Sequence, residues 1–206
     1  LEGYGLTETA PGISFNLPRH GFRKGSVGRL FPEIECKTIH PDDRHDLKTG
    51  ETGLLCFRGP NIFSGYLNDV QKTEEVLTEE KWFITGDIGY LDEDQFLFIK
   101  GRLSRFSKIG GEMVPHETIE EKIKNLLSNQ NDNETSLVVV GQPDPNKGEQ
   151  LVLVTERELD FSELRKKMSA NGVPNLWIPK KNQILDNIPI LTTGKIDFQG
   201  IKNLLE

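Results

Sequence analysis

Most of the residues in this chain that could do chemistry fall in four short motifs set far apart. Gly3-Tyr4-Gly5-Leu6-Thr7-Glu8-Thr9 comes first, followed by Thr85-Gly86-Asp87, Gly101-Arg102 and Thr192-Thr193-Gly194-Lys195-Ile196-Asp197. At Tyr4 an aromatic ring between two glycines can stack on adenine, while Gly3 and Gly5 let the backbone approach closely. Thr7 offers a hydroxyl to a phosphate, and Glu8 is an oxygen ligand suited to Mg²⁺. The Asp87 carboxylate can accept two hydrogen bonds from the vicinal hydroxyls of a ribose. Lys195 stands at the tip of what reads as a flexible loop. Two other phosphate motifs fail on residue type. Glu8 stands where GxGxxG needs its third glycine. The Lys195 segment lacks the Walker glycine five residues before Gly194 and has Ile196 in place of Ser or Thr.

Taken singly, each motif is an ordinary turn. In this order and at these spacings, together, they resemble the second half of the adenylate-forming enzymes, the superfamily of acyl-CoA synthetases, peptide-synthetase adenylation domains and firefly luciferase. The resemblance implies ATP/AMP and Mg²⁺ as cofactors. It implies adenine and ribose binding by Tyr4, Gly5, Asp87 and Arg102, and phosphate and metal contacts from Thr7 and Glu8. Lys195 would bridge the substrate carboxylate and the α-phosphate, opposing charge that builds in the transition state. The stretch Gly101-Arg102-Leu103-Ser104-Arg105-Phe106-Ser107-Lys108-Ile109-Gly110-Gly111-Glu112 resembles the family hinge about which a mobile C-terminal domain swings. Ser104 stands where Asp or Lys is usual. Lys108 would then serve the thioester-forming step. The family's phosphate loop and acyl pocket are expected upstream of Leu1, which makes the chain an expected fragment, inactive alone in adenylation.

The second half is most similar to bifunctional enzymes that join an acyl-[acyl-carrier-protein] synthetase to a 2-acylglycerophosphoethanolamine acyltransferase. That implies a fatty acid, acyl carrier protein (or CoA) and, in a longer parent chain, a lysophospholipid as partners. It also implies a bacterial cytoplasmic setting beside the inner membrane. Arg102, Arg105 and Lys108, extended by Arg165, Lys166 and Lys167, would form a basic rim for an acidic carrier. A soluble fatty acyl-CoA ligase and a non-catalytic nucleotide-binding module stay open as alternatives.

These residues need elements to hold them. The first hundred residues are rich in Gly and Pro, with short apolar runs. Gly53-Leu54-Leu55-Cys56-Phe57 predicts a strand, and residues 84–91 and 96–99 predict a hairpin across Asp92-Glu93-Asp94-Gln95. This is β-rich structure with a barrel-like character. Residues 53–67 also match a family signature and read as structural, with a packed Tyr66. After Gly101 the pattern changes. Ile119, Ile123, Leu126 and Leu127 predict an amphipathic helix after Pro115, residues 137–140 and 151–155 predict buried strands, and two further helices hold Phe161, Leu164 and Met168, then residues 198–205. The expected fold is α+β, with 1–100 the C-terminal portion of the large AMP-binding domain and 101–206 the mobile C-terminal domain.

Composition narrows the function classes. The formal charge of −7 argues against nucleic acid as a partner, because phosphate neutralisation needs a basic face. The longest apolar runs are far too short to span a bilayer. Cys36 and Cys56 suit a reducing compartment and predict no cross-link. The four histidines suggest no metal cluster, and Asp42-Asp43-Arg44-His45-Asp46 reads as a solvated loop.

Overall fold

The computed structural model describes residues 2–128 and 136–205, which divide into two compact units between Leu103 and Ser104. In the first unit, turns break the chain into short extended runs that pair as two antiparallel sheets. β1 (Gly3–Gly5), β2 (Gly12–Phe15) and β3 (Arg29–Leu30) form one. β4 (Glu35–Ile39), β5 (Gly53–Arg58), β6 (Phe83–Leu91) and β7 (Leu97–Arg102) form the other, with helix α1 (Val70–Val76) between β5 and β6 in sequence. Ile13, Leu55, Phe57 and Leu97 pack as one core, joined by Tyr4, Val27 and Leu30. Gly28 is required at this junction: its φ is 90°, and a Cβ there would lie 2.0 Å from the Phe15 carbonyl carbon.

The barrel-like end expected from the sequence is an open sheet. Among the described residues the larger sheet runs β4-β5-β6-β7, and β7 does not pair back to β4. Four strands with ordinary twist do not curl far enough to close. The outer edge of β7 is used instead by the stretch before β3, where Val27 N donates to Leu97 O and Leu97 N donates to Gly28 O, each at 2.8 to 2.9 Å. β7 also runs on through Gly101 to Arg102, and its register sets Arg102 opposite Asp87.

The second unit opens with a hairpin that periodicity did not reveal. β8 (Phe106–Ile109) and β9 (Glu112–Pro115) are joined by Gly110 and Gly111, whose φ values of 59° and 88° suit a two-residue turn. α2 (His116–Ser128), β10 (Leu137–Asp144), β11 (Gly148–Thr155), α3 (Phe161–Ala170), β12 (Lys181–Ile184) and α4 (Phe198–Leu204) follow. The sheet order is β10-β11-β8-β9, with β12 parallel to β11. Alternating side chains of β10 and β11 serve two cores. Leu137, Val139, Leu151 and Leu153 pack with Ile119 and Ile123 of α2 and with Leu164 and Met168 of α3. Val138, Val140, Val152 and Val154 pack with Ile188 and with Ile201 of α4. Cover on both faces is why these strands read as unbroken apolar runs.

His116 begins α2 fully buried, its Nε2 2.8 Å from Ser107 Oγ, and its Nδ1 has no partner among the described residues. Burial, aided by Arg105 and Lys202, pushes its pKa down to about 3. An unfolded imidazole titrates near pH 6.5, so between about 6.5 and about 3 the unfolded chain binds a proton that the folded one does not. Stability of this unit should fall as pH drops through that window, by up to about 1.4 kcal/mol per pH unit. Urea unfolding of wild type and His116→Gln at neutral and mildly acidic pH checks this, and parallel pH profiles would eliminate His116 as the source.

Candidate active site

The β1–β2 turn that carries Thr7 and Glu8 is held by contacts only a folded chain can supply. Gly5 is obligatory, since a Cβ there would meet Pro11 O at 1.7 Å. The fully buried Thr9 Oγ1 accepts from Leu6 N at 2.9 Å and lies 2.8 Å from Pro11 O. Asn61 Nδ2 donates to Thr9 O at 2.6 Å and Gly12 O at 2.8 Å, and Phe63 N donates to Glu8 O at 2.9 Å. The Tyr66 hydroxyl donates to Glu8 Oε1 at 2.8 Å. The signature around residues 59–67 therefore braces the first motif from the far side of the sequence. Thr7 is exposed, and Glu8 Oε2 has no partner among the described residues. Partial burial and the neighbouring Glu8 carboxylate push the Tyr66 hydroxyl up to about 12, so it stays a donor at neutral pH.

Tyr4, Asp87 and Arg102 converge. The Tyr4 hydroxyl donates to Asp87 Oδ2 at 2.5 Å, and Arg102 Nε lies 2.8 Å from Asp87 Oδ1. Asp87 sits after a local bend at Gly86, φ 77°, and its N–H donates to Thr85 Oγ1, which donates in turn to Leu55 O. The carboxylate is 4% exposed as a residue, and burial raises its pKa despite the opposing pull of Tyr4 and Arg102. Maintaining a charge here costs stability at neutral pH, as is common where a group is kept for binding. A carboxylate has about four lone-pair sites. Tyr4 and Arg102 take one on each oxygen, which leaves one on each for the two hydroxyls of a vicinal diol. The tilted ring of Tyr4 also packs on Phe57, centroids 5.9 Å apart.

The remaining candidates belong to the second unit. Lys195 is exposed on a tight hairpin rather than a slack loop. Ile190 bridges Ile196, Leu191 N donates to Lys195 O at 2.7 Å, and Gly194 N donates to Leu191 O at 2.9 Å with Gly194 at φ 79°. Asp197 then caps α4 through Gly200 N at 2.9 Å. Lys108 is exposed on β8, its backbone N–H donating to Glu149 Oε2 at 2.6 Å. Arg105 departs from the sequence reading. It is 5% exposed, with Nη1 donating to Val139 O at 3.0 Å, Nη2 to Glu120 Oε1 at 2.5 Å, and its guanidinium 4.0 Å from the Phe198 ring centroid. It is a packing residue and no part of an exposed basic rim.

The model of the AMP-binding enzyme family matches residues 1–67. Luciferin 4-monooxygenase of Luciola mingrelica is 32% identical over 100% of this chain, which spans 37% of that protein. Indoleacetate–CoA ligase of Aromatoleum aromaticum is 33% identical over 98% of the chain and 39% of its own length. Among solved structures, ATP-bound MatB of Rhodopseudomonas palustris superposes with a TM-score of 0.77 at 26% identity, covering 98% of this chain and 40% of that one. O-succinylbenzoate CoA synthetase of Bacillus subtilis, in complex with AMP, gives 0.74 at 26% identity, covering 100% and 40%. The chain belongs to the AMP-binding enzyme superfamily. Its fold matches the C-terminal part of adenylate-forming enzymes, and it spans about two-fifths of the length of the relatives it matches. No described helix is long and apolar enough to cross a membrane.

Tyr66, Asn61 and Thr9 escaped the sequence reading as site residues. Tyr66 and Glu8 lie 58 residues apart, and no local spacing announces such a pair. Cys36 and Cys56 are both free thiols, and burial pushes each up to about 12, which leaves neither as a nucleophile.

Proposed function

We propose that the protein carrying this chain activates a carboxylic acid as its acyl-adenylate and passes the acyl group to a thiol. The observation that supports this reading is the Tyr4–Asp87–Arg102 cluster, where a buried carboxylate with spare lone pairs lies beside an aromatic side chain. In this proposal the first unit is the end of the AMP-binding domain and the second is the mobile C-terminal domain. Adenine stacks on Tyr4 against the glycine backbone, and Asp87 accepts from both ribose hydroxyls. Thr7 and Glu8 fit ATP and Mg²⁺ by ligand type, an exposed hydroxyl and a half-buried carboxylate with one oxygen unclaimed among the described residues. When bound, Mg²⁺ would offset phosphate charge. Lys195 draws the substrate carboxylate and the α-phosphate together. The carboxylate oxygen forms a bond to the α-phosphorus as the bond to pyrophosphate breaks. In the second step the thiol sulfur bonds to the acyl carbon, AMP leaves, and the thiol proton passes to solvent or a base.

CoA is the favoured acceptor. Relatives named as CoA ligases include those for indoleacetate and in the 4-coumarate–CoA ligase-like group of Oryza sativa. The carrier-protein alternative leaned on Arg105 at an exposed rim, and Arg105 is buried. Exposed Lys108 and Arg165 keep a carrier protein as the second reading. A fatty acid is the acid first suggested by sequence, with aryl acids beside it. Lysophospholipid reacylation rests on the resemblance alone, so the proposal stops at the thioester.

ATP–pyrophosphate exchange across a panel of fatty and aryl acids tests the first step, and thioester formation with CoA and holo-carrier protein in parallel tests the second. Exchange that is abolished by Asp87→Ala is expected, and exchange unchanged by it would overturn the reading. Tyr66→Phe should raise the Mg²⁺ concentration needed for half-maximal exchange by about tenfold, the worth of a hydrogen bond to a charged group. The rate at saturating Mg²⁺ should hardly change, and a loss confined to that rate would show that Tyr66 does not act through Glu8.

A further inference from the structure

The loop between β4 and β5 folds back on itself tightly. His40 N donates to His45 O at 2.9 Å, Arg44 N to His40 O at 3.0 Å, and Leu47 N to Thr38 O at 2.8 Å, while Ile39 bridges Asp46. This brings three potential ligands together on one side. One ring nitrogen of His40, one of His45 and a carboxylate oxygen of Asp43 all lie within 4.8 Å of one another. Asp43 Oδ1 is 3.2 Å from His40 Nδ1 and 2.6 Å from His45 Nδ1. The two imidazoles stack with centroids 5.2 Å apart and planes 13° from parallel.

We propose that His40, Asp43 and His45 form a binding site for a transition-metal dication of the zinc class. Zinc bonds imidazole nitrogen and carboxylate oxygen at roughly 2.0–2.2 Å, which sets ligand atoms about 3.3 Å apart in a tetrahedron. The His40–Asp43 separation already has that value, and the His45 ring needs only a small rotation to match it. The Asp43 carboxylate oxygen sits between the two ring nitrogens, at 3.2 and 2.6 Å, and the long 3.4 Å contact of Asp42 N–H to His40 Nδ1 is one that a metal bond to that nitrogen would replace. The side chains of His40 and His45 are 41% and 58% exposed, so water can complete the coordination. Two nitrogens and one oxygen select zinc, nickel, cobalt or copper over Mg²⁺ or Ca²⁺, which take oxygen ligands. The site is thereby separate in position and in chemistry from the Mg²⁺ role assigned to Glu8.

The test is calorimetric titration of the zinc-free protein with zinc chloride in a non-chelating buffer. One zinc ion per chain is expected, with no competition from excess magnesium chloride. Asp43→Asn and His45→Ala should each weaken binding by at least about tenfold, since even outer-shell changes cost 10- to 100-fold. Glu74→Gln, at an exposed position on α1, should leave affinity unchanged. Circular dichroism of the zinc-free variants confirms that the exposed substitutions leave the fold intact. Cobalt substituted for zinc should give the intense visible bands of a tetrahedral site, lost in the His40→Ala/His45→Ala double variant. Absence of saturable zinc binding to the wild-type protein, or wild-type affinity in the double variant, would overturn the proposal.

Discussion

Replacing Lys195 with alanine should slow acyl-adenylate formation by about 10²- to 10³-fold, the usual loss when one donor to a developing anion is removed. The geometry makes the effect specific to the ammonium. Lys195 is exposed, and its backbone is pinned by Leu191 N on Lys195 O and by Gly194 N on Leu191 O, so the hairpin survives truncation of the side chain. Asp197 caps the next helix through Gly200 N, a contact that does not involve the lysine side chain. Pentacovalent phosphorus concentrates negative charge that the Asp87 and Glu8 carboxylates cannot oppose, and in the proposed mechanism the Lys195 ammonium adds a counter-charge at the reacting oxygens beside that of Mg²⁺. Pyrophosphate exchange reads the first step, and thioester formation from supplied acyl-adenylate reads the second. Transfer from the supplied adenylate should be nearly unchanged. Lys195→Arg should recover only part of the lost rate, because a planar guanidinium does not reproduce a compact ammonium. Equal losses in both half-reactions would place Lys195 in general support of the unit rather than in adenylation.

Arg105→Ala should destabilise the second unit by about 3–5 kcal/mol, the cost of breaking a buried charge pair from one side. Arg105 and Glu120 have side chains 6% and 13% exposed, and Glu120 Oε1 also accepts from Val139 N at 2.7 Å. The guanidinium thus links α2 to β10 and lies against Phe198 of α4. Truncation would strand the Glu120 carboxylate beside the core. Against a domain stability of about 5–15 kcal/mol, such a loss is large. Urea unfolding measures it. Arg105→Met combined with Glu120→Met should restore most of the stability, since apolar replacement of a whole buried pair is often neutral or better. A single variant within about 1 kcal/mol of wild type would show that the pair is solvated. Charge reversal at Arg105 is consequently a poor probe of acceptor docking. Lys108→Glu, on an exposed strand position, is the better one.

What the sequence determined by itself was local in origin. The α2 period of Ile119, Ile123 and Leu127, the apolar runs of β10 and β11, and the helix expected over 198–205 each depend on neighbours in the chain, where side-chain spacing maps directly onto helix or strand geometry. The four motifs could be picked out too, because their residue types suggest a chemistry. The β8–β9 hairpin carried a signal in Gly110-Gly111, overlooked because its strands are short and mixed in polarity. Tertiary structure alone decided the rest. Strand register, set by bulges between Leu54 and Cys56 and between Ile88 and Gly89, put Arg102 across from Asp87. Packing put Tyr66 on Glu8, took Arg105 out of solvent and left the larger sheet open. A tight turn gathered His40, Asp43 and His45, which the sequence presents only as a polar loop. Partners of this kind are chosen by which surfaces meet when the core closes, and burial then fixes whether a charge is a ligand or a strut. Residue spacing along the chain encodes neither.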